Sequence, residues 1–123
     1  MDTKSVIDTL AALAQDTRLR AFRLVIEQGE EGLAAGVIAE RLKVTPNTLS
    51  AHLGILASSG LMRVRREGRK MIYSVDLEKI RELLAFLVQD CCKAQAEVCE
   101  PLIAAILPAY CAGEKPAAER NGQ

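Results

Sequence analysis

The stretch of chain from residue 45 to residue 75 restricts the possible folds more than any other part of the sequence. Thr45 and Pro46 predict the start of a helix, because a threonine hydroxyl caps free backbone N–H groups and proline suits the first helical position. Apolar residues then recur at helical spacing and leave small and polar side chains on the outward face, until Gly60 ends the helix. The apolar residues with this spacing are Leu49, Leu53 and Leu56.

A short basic hairpin is predicted directly after this helix. Residues 61–75 form two runs of alternating apolar and polar residues around a turn at Glu67 and Gly68. Five cations stand against one glutamate in this segment, a local charge of +4, although the whole chain has a net charge of zero. A helix with small outward side chains beside a basic hairpin suits a DNA major groove flanked by phosphates. The five cations are Arg63, Arg65, Arg66, Arg69 and Lys70.

These two elements supply the candidate contacts to double-stranded DNA. On the helix, short side chains can approach base edges, and the single histidine, His52, is expected to pack between helices or to contact a phosphate. On the hairpin, the charged side chains could simply be solvated, but beside a helix-turn-helix they are expected to contact phosphates. The predicted DNA-binding residues are Asn47, Thr48, Ser50, Ala51, His52, Arg65, Arg66, Arg69 and Lys70.

Helical periodicity in the first part of the chain predicts three more helices. An apolar stripe over residues 6–13 predicts the first, and the pair Asp16-Thr17 predicts the cap of the second. A third helix over residues 34–42 forms a helix-turn-helix with the one that begins at Thr45. The predicted fold is therefore mainly α-helical with a small β-hairpin, a winged helix-turn-helix.

A fifth helix is predicted after the hairpin, capped by Asp76. The first and last helices carry more apolar surface than a small monomer can cover, so we expect a homodimer formed through both, which suits a palindromic operator. Residues 1–100 are expected to hold the DNA-binding and dimerisation functions, and residues 101–123 to form an extension with a largely disordered tail. The apolar positions of the fifth helix are Ile80, Leu83, Leu84, Leu87, Val88 and Cys91.

Composition narrows the class of protein. A chain of 123 residues with 50% apolar residues supports one domain with a modest core. No apolar run approaches the roughly 18 residues of a membrane span, and the first residues are not those of a signal peptide. A cytoplasmic protein is therefore expected, and its four cysteines should remain thiols.

The order of these elements resembles the ArsR/SmtB family of bacterial winged-helix repressors over about residues 5–90. Residues 16–20 look like the motif that opens the family's second helix, and residues 65–70 look like its wing. Residues 50–56, followed by residues 59–61, are similar to its recognition helix and exit. The resemblance implies a homodimeric repressor that releases operator DNA on binding an inducer, often a metal or metalloid ion.

The two familiar inducer sites of this family are absent from the sequence. Residues 33–38 lack the Cys-Val-Cys element of the best-known arsenic sensors, and the last helix lacks the histidine ligands of the zinc sensors. Cys91, Cys92 and Cys99 instead resemble an alternative arsenic site that some members place after the last helix. The resemblance thus points to a different position for the inducer.

The chemistry of the three cysteines fits a soft ion. Three thiolates without a nearby histidine suit As(III), or Sb(III), although Cys91 alone would equally suit helix packing. In a regular helix Cys92 and Cys99 lie on one face but about 10 Å apart, too far for one ion to bridge. Either the helix unwinds or both subunits supply ligands; Pro101 favours unwinding, which predicts a site within one subunit. Cys111 lies outside the cluster and is expected to be a spectator.

The sequence therefore predicts an arsenite-responsive repressor, not an enzyme. A thiol-redox repressor on the same fold is an alternative, because Cys92 and Cys99 could form a disulfide if the segment bends. A thiol-dependent arsenic-handling enzyme is a weaker one, and a protein that stores arsenic or handles metal without a role on DNA is a third. The sequence has no Cys-x-x-Cys motif, and no cysteine precedes a glycine-rich loop and an arginine.

Overall fold

In a computed structural model of the chain, the structure describes the backbone of residues 1–92 and the side chains as far as Val88. The chain divides into two compact units, residues 1–83 and residues 84–123. Within residues 1–92, five α-helices and three short strands follow one another in the order expected of a winged helix-turn-helix. They are α1 (Thr3–Leu13), α2 (Asp16–Ile26), a 3₁₀ turn (Gly29–Glu31), β1 (Leu33–Ala34), α3 (Ala35–Leu42), α4 (Pro46–Ser58), β2 (Met62–Glu67), β3 (Lys70–Val75) and α5 (Leu77–Cys92).

The start of α2 differs from the prediction by one residue. Gln15, and not Asp16 or Thr17, caps this helix: its backbone is extended and its side-chain oxygen accepts the N–H of Arg18 at 2.8 Å. The Asp16 carboxylate instead pairs with Arg20 on the exposed surface at 3.0 Å. Glutamine is an uncommon capping residue, but its side chain is long enough to reach the free N–H of Arg18 from the position before Asp16.

The turn between α3 and α4 is closed by the backbone. Lys43 lies just after α3 in a left-handed conformation, with φ at +57°. Its N–H donates to the carbonyl of Glu40 at 3.3 Å, and the N–H of Val44 donates to the carbonyl of Ala39 at 3.0 Å. This pair of hydrogen bonds is a Schellman motif, which ends α3 sharply and starts the helix-turn-helix turn.

The predicted hairpin is part of a three-stranded antiparallel sheet with the order β1-β3-β2. The sequence did not indicate β1, because two residues are too few to produce an alternating pattern. The hairpin turn also lies one residue later than predicted, since Glu67 pairs with Lys70 and the two central residues are Gly68 and Arg69. Gly68 has a φ of +65°, as the first central residue of such a two-residue turn requires.

The core of the first unit holds α4 in place. The three leucines predicted to form its inner face, Leu49, Leu53 and Leu56, are at most 1% exposed. They belong to one apolar cluster with residues of α2, α3 and the sheet, which includes Val25 and Ile38. Burial of this row of leucines fixes which face of α4 is left to the solvent.

The start of α5 matches the prediction. The Asp76 carboxylate accepts the N–H groups of Glu78 at 3.1 Å and of Lys79 at 3.2 Å, as expected of a cap. Leu83 is buried, whereas Leu84 and Leu87 are about half exposed. No helix within residues 1–92 is long and apolar enough to span a membrane. The predicted unwinding between Cys92 and Cys99 and the predicted tail lie outside the described residues.

Candidate nucleic-acid interface

The outward face of α4 carries the predicted base-reading residues. Asn47, Thr48, Ser50 and Ala51 are all exposed, on the side of the helix opposite its buried leucines. The helix contains no Asp, Glu, Lys or Arg, so it has no carboxylate that would repel a phosphate backbone. Sequence reasoning left out Gly54, which is exposed four residues after Ser50 and has open space where a side chain would lie. Its helical spacing from Asn47 and Ser50 is the signal that could have found it.

The N-terminus of α4 is held by the predicted cap. The Thr45 hydroxyl accepts the N–H of Thr48 at 3.4 Å and donates to the Thr48 hydroxyl at 3.0 Å. Pro46 occupies the first turn, as its lack of an N–H allows. The side chain of Thr48 is therefore oriented by the cap of its own helix.

His52 is partly buried and has a partner that the sequence did not reveal. Its Nδ1 lies 3.2 Å from Nη1 of Arg18, at the start of α2. Because a guanidinium can only donate, Nδ1 must be the acceptor, and the proton of a neutral ring is then on Nε2. Arg18 also donates through Nε to the carbonyl of Ala12 at 2.6 Å, so one side chain links α1, α2 and α4. In the sequence, residues 16–20 are recognisable only as a motif similar to the one that opens the family's second helix.

The wing, defined as β2, β3 and their turn, carries the predicted phosphate contacts. Arg66, Arg69 and Lys70 are exposed, and Arg66 donates through Nε to the carbonyl of Gly68 at 3.2 Å. Arg65 is also exposed, but its guanidinium contacts Glu67 and the carbonyls of the 3₁₀ turn. All four cations thus belong to one hairpin, but Arg65 contacts the 3₁₀ turn, whereas Arg66 contacts only the hairpin's own turn among the hydrogen bonds described.

Two clefts connect the wing to the helix-turn-helix. A cleft of about 450 Å³ lies between the wing tip, at Arg69 and Lys70, and the first turn of α3. A smaller one of about 130 Å³ lies between α3, β3 and the N-terminal half of α4, where Ser50 is one of its lining residues. Both clefts are lined by Ala35, Gly36 and Met71. Ser50 of α4 and the wing tip therefore border two adjoining clefts, the larger of which is also lined by Glu40.

The predicted thiol site falls at the edge of the described structure. Cys91 and Cys92 are the last two residues of α5 as described, beyond Val88, the last residue whose side chain is described. Cys99 and Cys111 lie outside the described residues. Among the described residues there is no group of three or more His, Cys, Asp or Glu side chains placed to hold a metal ion. The site at Cys91, Cys92 and Cys99 remains a prediction.

Comparison with known sequences assigns the helix-turn-helix part of this surface to a recognised domain type. Residues 13–65 match the helix-turn-helix domain family. A cadmium resistance transcriptional regulatory protein, a CadC homolog of Staphylococcus aureus, is 33% identical over 86 residues, covering 68% of this chain and 69% of that protein. Two regulators of Mycobacterium tuberculosis are 33% identical over 73 residues, and the chain spans 62% of their length.

Solved structures of similar proteins include winged helix-turn-helix DNA-binding domains. The homodimeric winged helix-turn-helix DNA-binding domain of Mb0332 from Mycobacterium bovis, described as a possible ArsR-family transcriptional regulator, is 31% identical. The match covers 82% of this chain and 84% of that domain, with a TM-score of 0.58. A possible transcriptional regulator for arsenical resistance is 29% identical over 65% of this chain and 80% of its own, also with a TM-score of 0.58.

Proposed function

The chain belongs to the ArsR family of winged helix-turn-helix transcriptional regulators, and on this premise we propose that it is a homodimeric repressor that releases operator DNA on binding arsenite. One observation carries the DNA-binding part of the proposal. Ser50, on the exposed and uncharged face of α4, and the basic wing tip border two clefts that share Ala35, Gly36 and Met71 as lining residues. A duplex seated there would have base edges against α4 and phosphates against the wing.

The proposed contacts divide into two kinds. Asn47, Ser50 and Ala51 are short and exposed on α4, so they can reach base edges in the major groove, with Thr48 and His52 beside them. Arg66, Arg69 and Lys70 are exposed on the wing, so they would bind phosphates without reading sequence. Substitutions in the first group should change which operator is preferred, whereas substitutions in the second should weaken all sequences alike.

A homodimer is supported by apolar side chains left exposed on the helices predicted to pair. Ile7 and Leu10 on α1 are 59% and 40% exposed, and Leu84 and Leu87 on α5 are 55% and 45% exposed. Burial of such side chains against a second subunit is favourable, at about 25 cal/mol for each Å² of apolar surface. The Mycobacterium bovis relative is a homodimer. Two copies related by a two-fold axis would read a palindromic operator.

Arsenite is proposed as the inducer because of the soft ligands near the end of α5. Cys91, Cys92 and Cys99 supply three sulfur atoms, the number that a trivalent arsenic or antimony ion can bind. Two relatives are named for resistance to cadmium and to arsenicals, both thiophilic. The proposal includes a cytoplasmic location, where the thiols stay reduced. Release requires the ion to bind the DNA-free form more tightly, by a coupling free energy of about 1–3 kcal/mol.

The test is a titration of the reduced, full-length protein on labelled DNA from its own promoter, followed by fluorescence anisotropy at fixed salt. We expect binding at nanomolar protein, release at stoichiometric arsenite, and weaker arsenite binding at low pH because the thiols must lose their protons. No binding to promoter DNA would refute the DNA-binding proposal. Binding without release by arsenite would refute the inducer; parallel titrations with cadmium and peroxide would then identify another ion or the thiol-redox alternative.

Cysteine variants test the ligand set. Cys92→Ser and Cys99→Ser should each keep operator binding and abolish release by arsenite, whereas Cys111→Ser, the matched control, should behave like the unmodified protein. Normal release from either of the first two variants would show that the ligand set is wrong.

A further inference from the structure

The wing presents its cations on two different faces of the sheet. Side chains alternate along β2, so Arg65 and Arg66 point to opposite sides. Arg66 shares its face with Met62, which belongs to the core cluster and therefore faces the helices. Arg65 pairs with Ile72 and lies on the face directed away from that cluster.

On that outer face each nitrogen of the Arg65 guanidinium has a partner within the protein, and the side chain is 45% exposed. Its Nε lies 2.8 Å from the Glu67 carboxylate. Its Nη2 donates to the carbonyl of Glu31 at 2.9 Å, and its Nη1 donates to that of Glu30 at 3.4 Å. All three nitrogens thus have partners, and the two carbonyls are 34 and 35 residues away in the chain. A planar guanidinium can make such a set of contacts simultaneously, and an ammonium group cannot.

The carbonyls that Arg65 contacts belong to a turn held tightly against the sheet. Gly32, which follows this turn, lies so close to β3 that an added Cβ would be 2.2 Å from the Tyr73 carbonyl oxygen. In the sheet order β1-β3-β2, Arg65 therefore reaches from the edge strand β2 across β3 to the segment just before β1. Ile72, the residue opposite Arg65 on β3, is only 8% exposed.

We propose that Arg65 is a positioning residue: it ties the wing to the 3₁₀ turn and acts on DNA binding through the orientation of the wing, not through a phosphate. The inference deepens the proposed function and rests on it. It reassigns one of the residues predicted from the sequence to contact DNA. Arg66, Arg69 and Lys70 keep the phosphate-binding role.

Lysine replacement separates the two roles. If Arg65 contacted a phosphate, Arg65→Lys would retain a cation and most of the affinity. As a positioning residue, it should lose about tenfold in operator affinity in both Arg65→Lys and Arg65→Ala, the size of one charge-assisted hydrogen bond. Arg69 is the matched control, because Arg69→Lys should stay within about twofold of the unmodified protein while Arg69→Ala weakens binding.

Salt dependence provides a second, independent readout. Each phosphate contact contributes about −0.9 to the slope of log K against log salt concentration, so removing one contact from both wings of a dimer should change the slope by about 1.8. We expect that change for Arg69→Ala and no change for Arg65→Ala. Rescue by Arg65→Lys, or a slope change in Arg65→Ala equal to that of Arg69→Ala, would overturn the proposal.

Two controls keep the result interpretable. Thermal melting and amide NMR spectra establish that each variant is folded, and the spectra of Arg65→Lys should differ from those of the unmodified protein at Glu30 and Glu31. Unchanged amide signals at these two residues would also overturn the proposal, whether or not DNA is bound. If the unmodified protein bound no promoter DNA, the proposed function would fail, and the NMR comparison would still decide whether Arg65 ties the wing to the turn.

Discussion

Replacing Gly32 by alanine should destabilise the first unit more than any other glycine-to-alanine change among residues 1–83. Gly32 has a φ of +68° and a ψ of −164°, a conformation open essentially only to glycine. An alanine Cβ there would lie 2.2 Å from the carbonyl oxygen and 2.9 Å from the carbonyl carbon of Tyr73. Because both of these atoms belong to the backbone of β3, no side-chain rotation can relieve the overlap.

The expected magnitude follows from these two costs. A non-glycine residue in this conformation costs about 1–3 kcal/mol. Moving the backbone of Tyr73 away by about 1 Å also weakens its pairing with Leu33, and a lost hydrogen bond costs about 1 kcal/mol. The free energy of unfolding should therefore fall by about 3 kcal/mol, which lowers the melting temperature by about 15 °C in a unit of this size.

Thermal and urea unfolding followed by circular dichroism at one fixed protein concentration measures this effect. Gly54→Ala is the matched control, because Gly54 lies within α4 with no atom within 4 Å of an added Cβ. This control should be more stable than the unmodified protein by about 0.5–1 kcal/mol, since alanine restricts the unfolded chain. A Gly32→Ala protein that melts within about 5 °C, roughly 1 kcal/mol, of the unmodified one would refute the reasoning.

Three further predictions concern caps and contacts. His52→Ala should weaken operator binding about fivefold and Arg18→Ala more, because Arg18 also donates to the carbonyl of Ala12. The loss of binding free energy in the double variant should be smaller than the sum of the two single losses, because either change alone already removes the contact between them; a double-mutant cycle by anisotropy checks this. Thr45→Ala should lower the free energy of unfolding by about 1 kcal/mol in urea titrations, and Thr45→Ser should restore most of it. Asp2 caps α1, because its carboxylate accepts the N–H of Ser5 at 2.8 Å. This hydrogen bond holds the pKa of Asp2 below its ordinary value of 3.8. The stabilisation by the cap is therefore present above that pH and is lost as the pH falls through the lower pKa of the folded protein. The NMR chemical shift of the Ser5 amide should change with pH as the cap is lost. Asp2→Asn should remove this pH dependence while keeping an oxygen that accepts the Ser5 N–H.

Much of the fold could be predicted because its signals are local. The Thr45 and Asp76 caps act on N–H groups two or three residues away, and the apolar spacing of α4 marks the leucines that are buried. The exposed side chains of the candidate interface follow from the same periodicity, since the residues between the buried leucines must face outward. The features that the sequence did not reveal, β1 and the Gln15 cap, are a very short strand and an unusual capping residue.

Two neighbouring arginines of the interface show what a sequence pattern cannot distinguish. Arg65 and Arg66 are adjacent and chemically identical, so no sequence pattern distinguishes a phosphate contact from an internal tie. Their difference arises from strand alternation combined with two carbonyls of the 3₁₀ turn, which Arg65 reaches across β3. His52 is a second example. Its helix was predicted from the sequence, but its contact with Arg18 was not, because the two residues are 34 positions apart in the chain.

The sequence by itself thus determined which segments become helices and strands, which face of each is buried, and where positive charge gathers. These properties depend on spacing, capping and composition within a few residues of one another. Only the tertiary structure decided which cations are left for a partner and which are held within the protein. That choice depends on contacts between segments distant in the chain, and such contacts exist only once the core has brought the segments together.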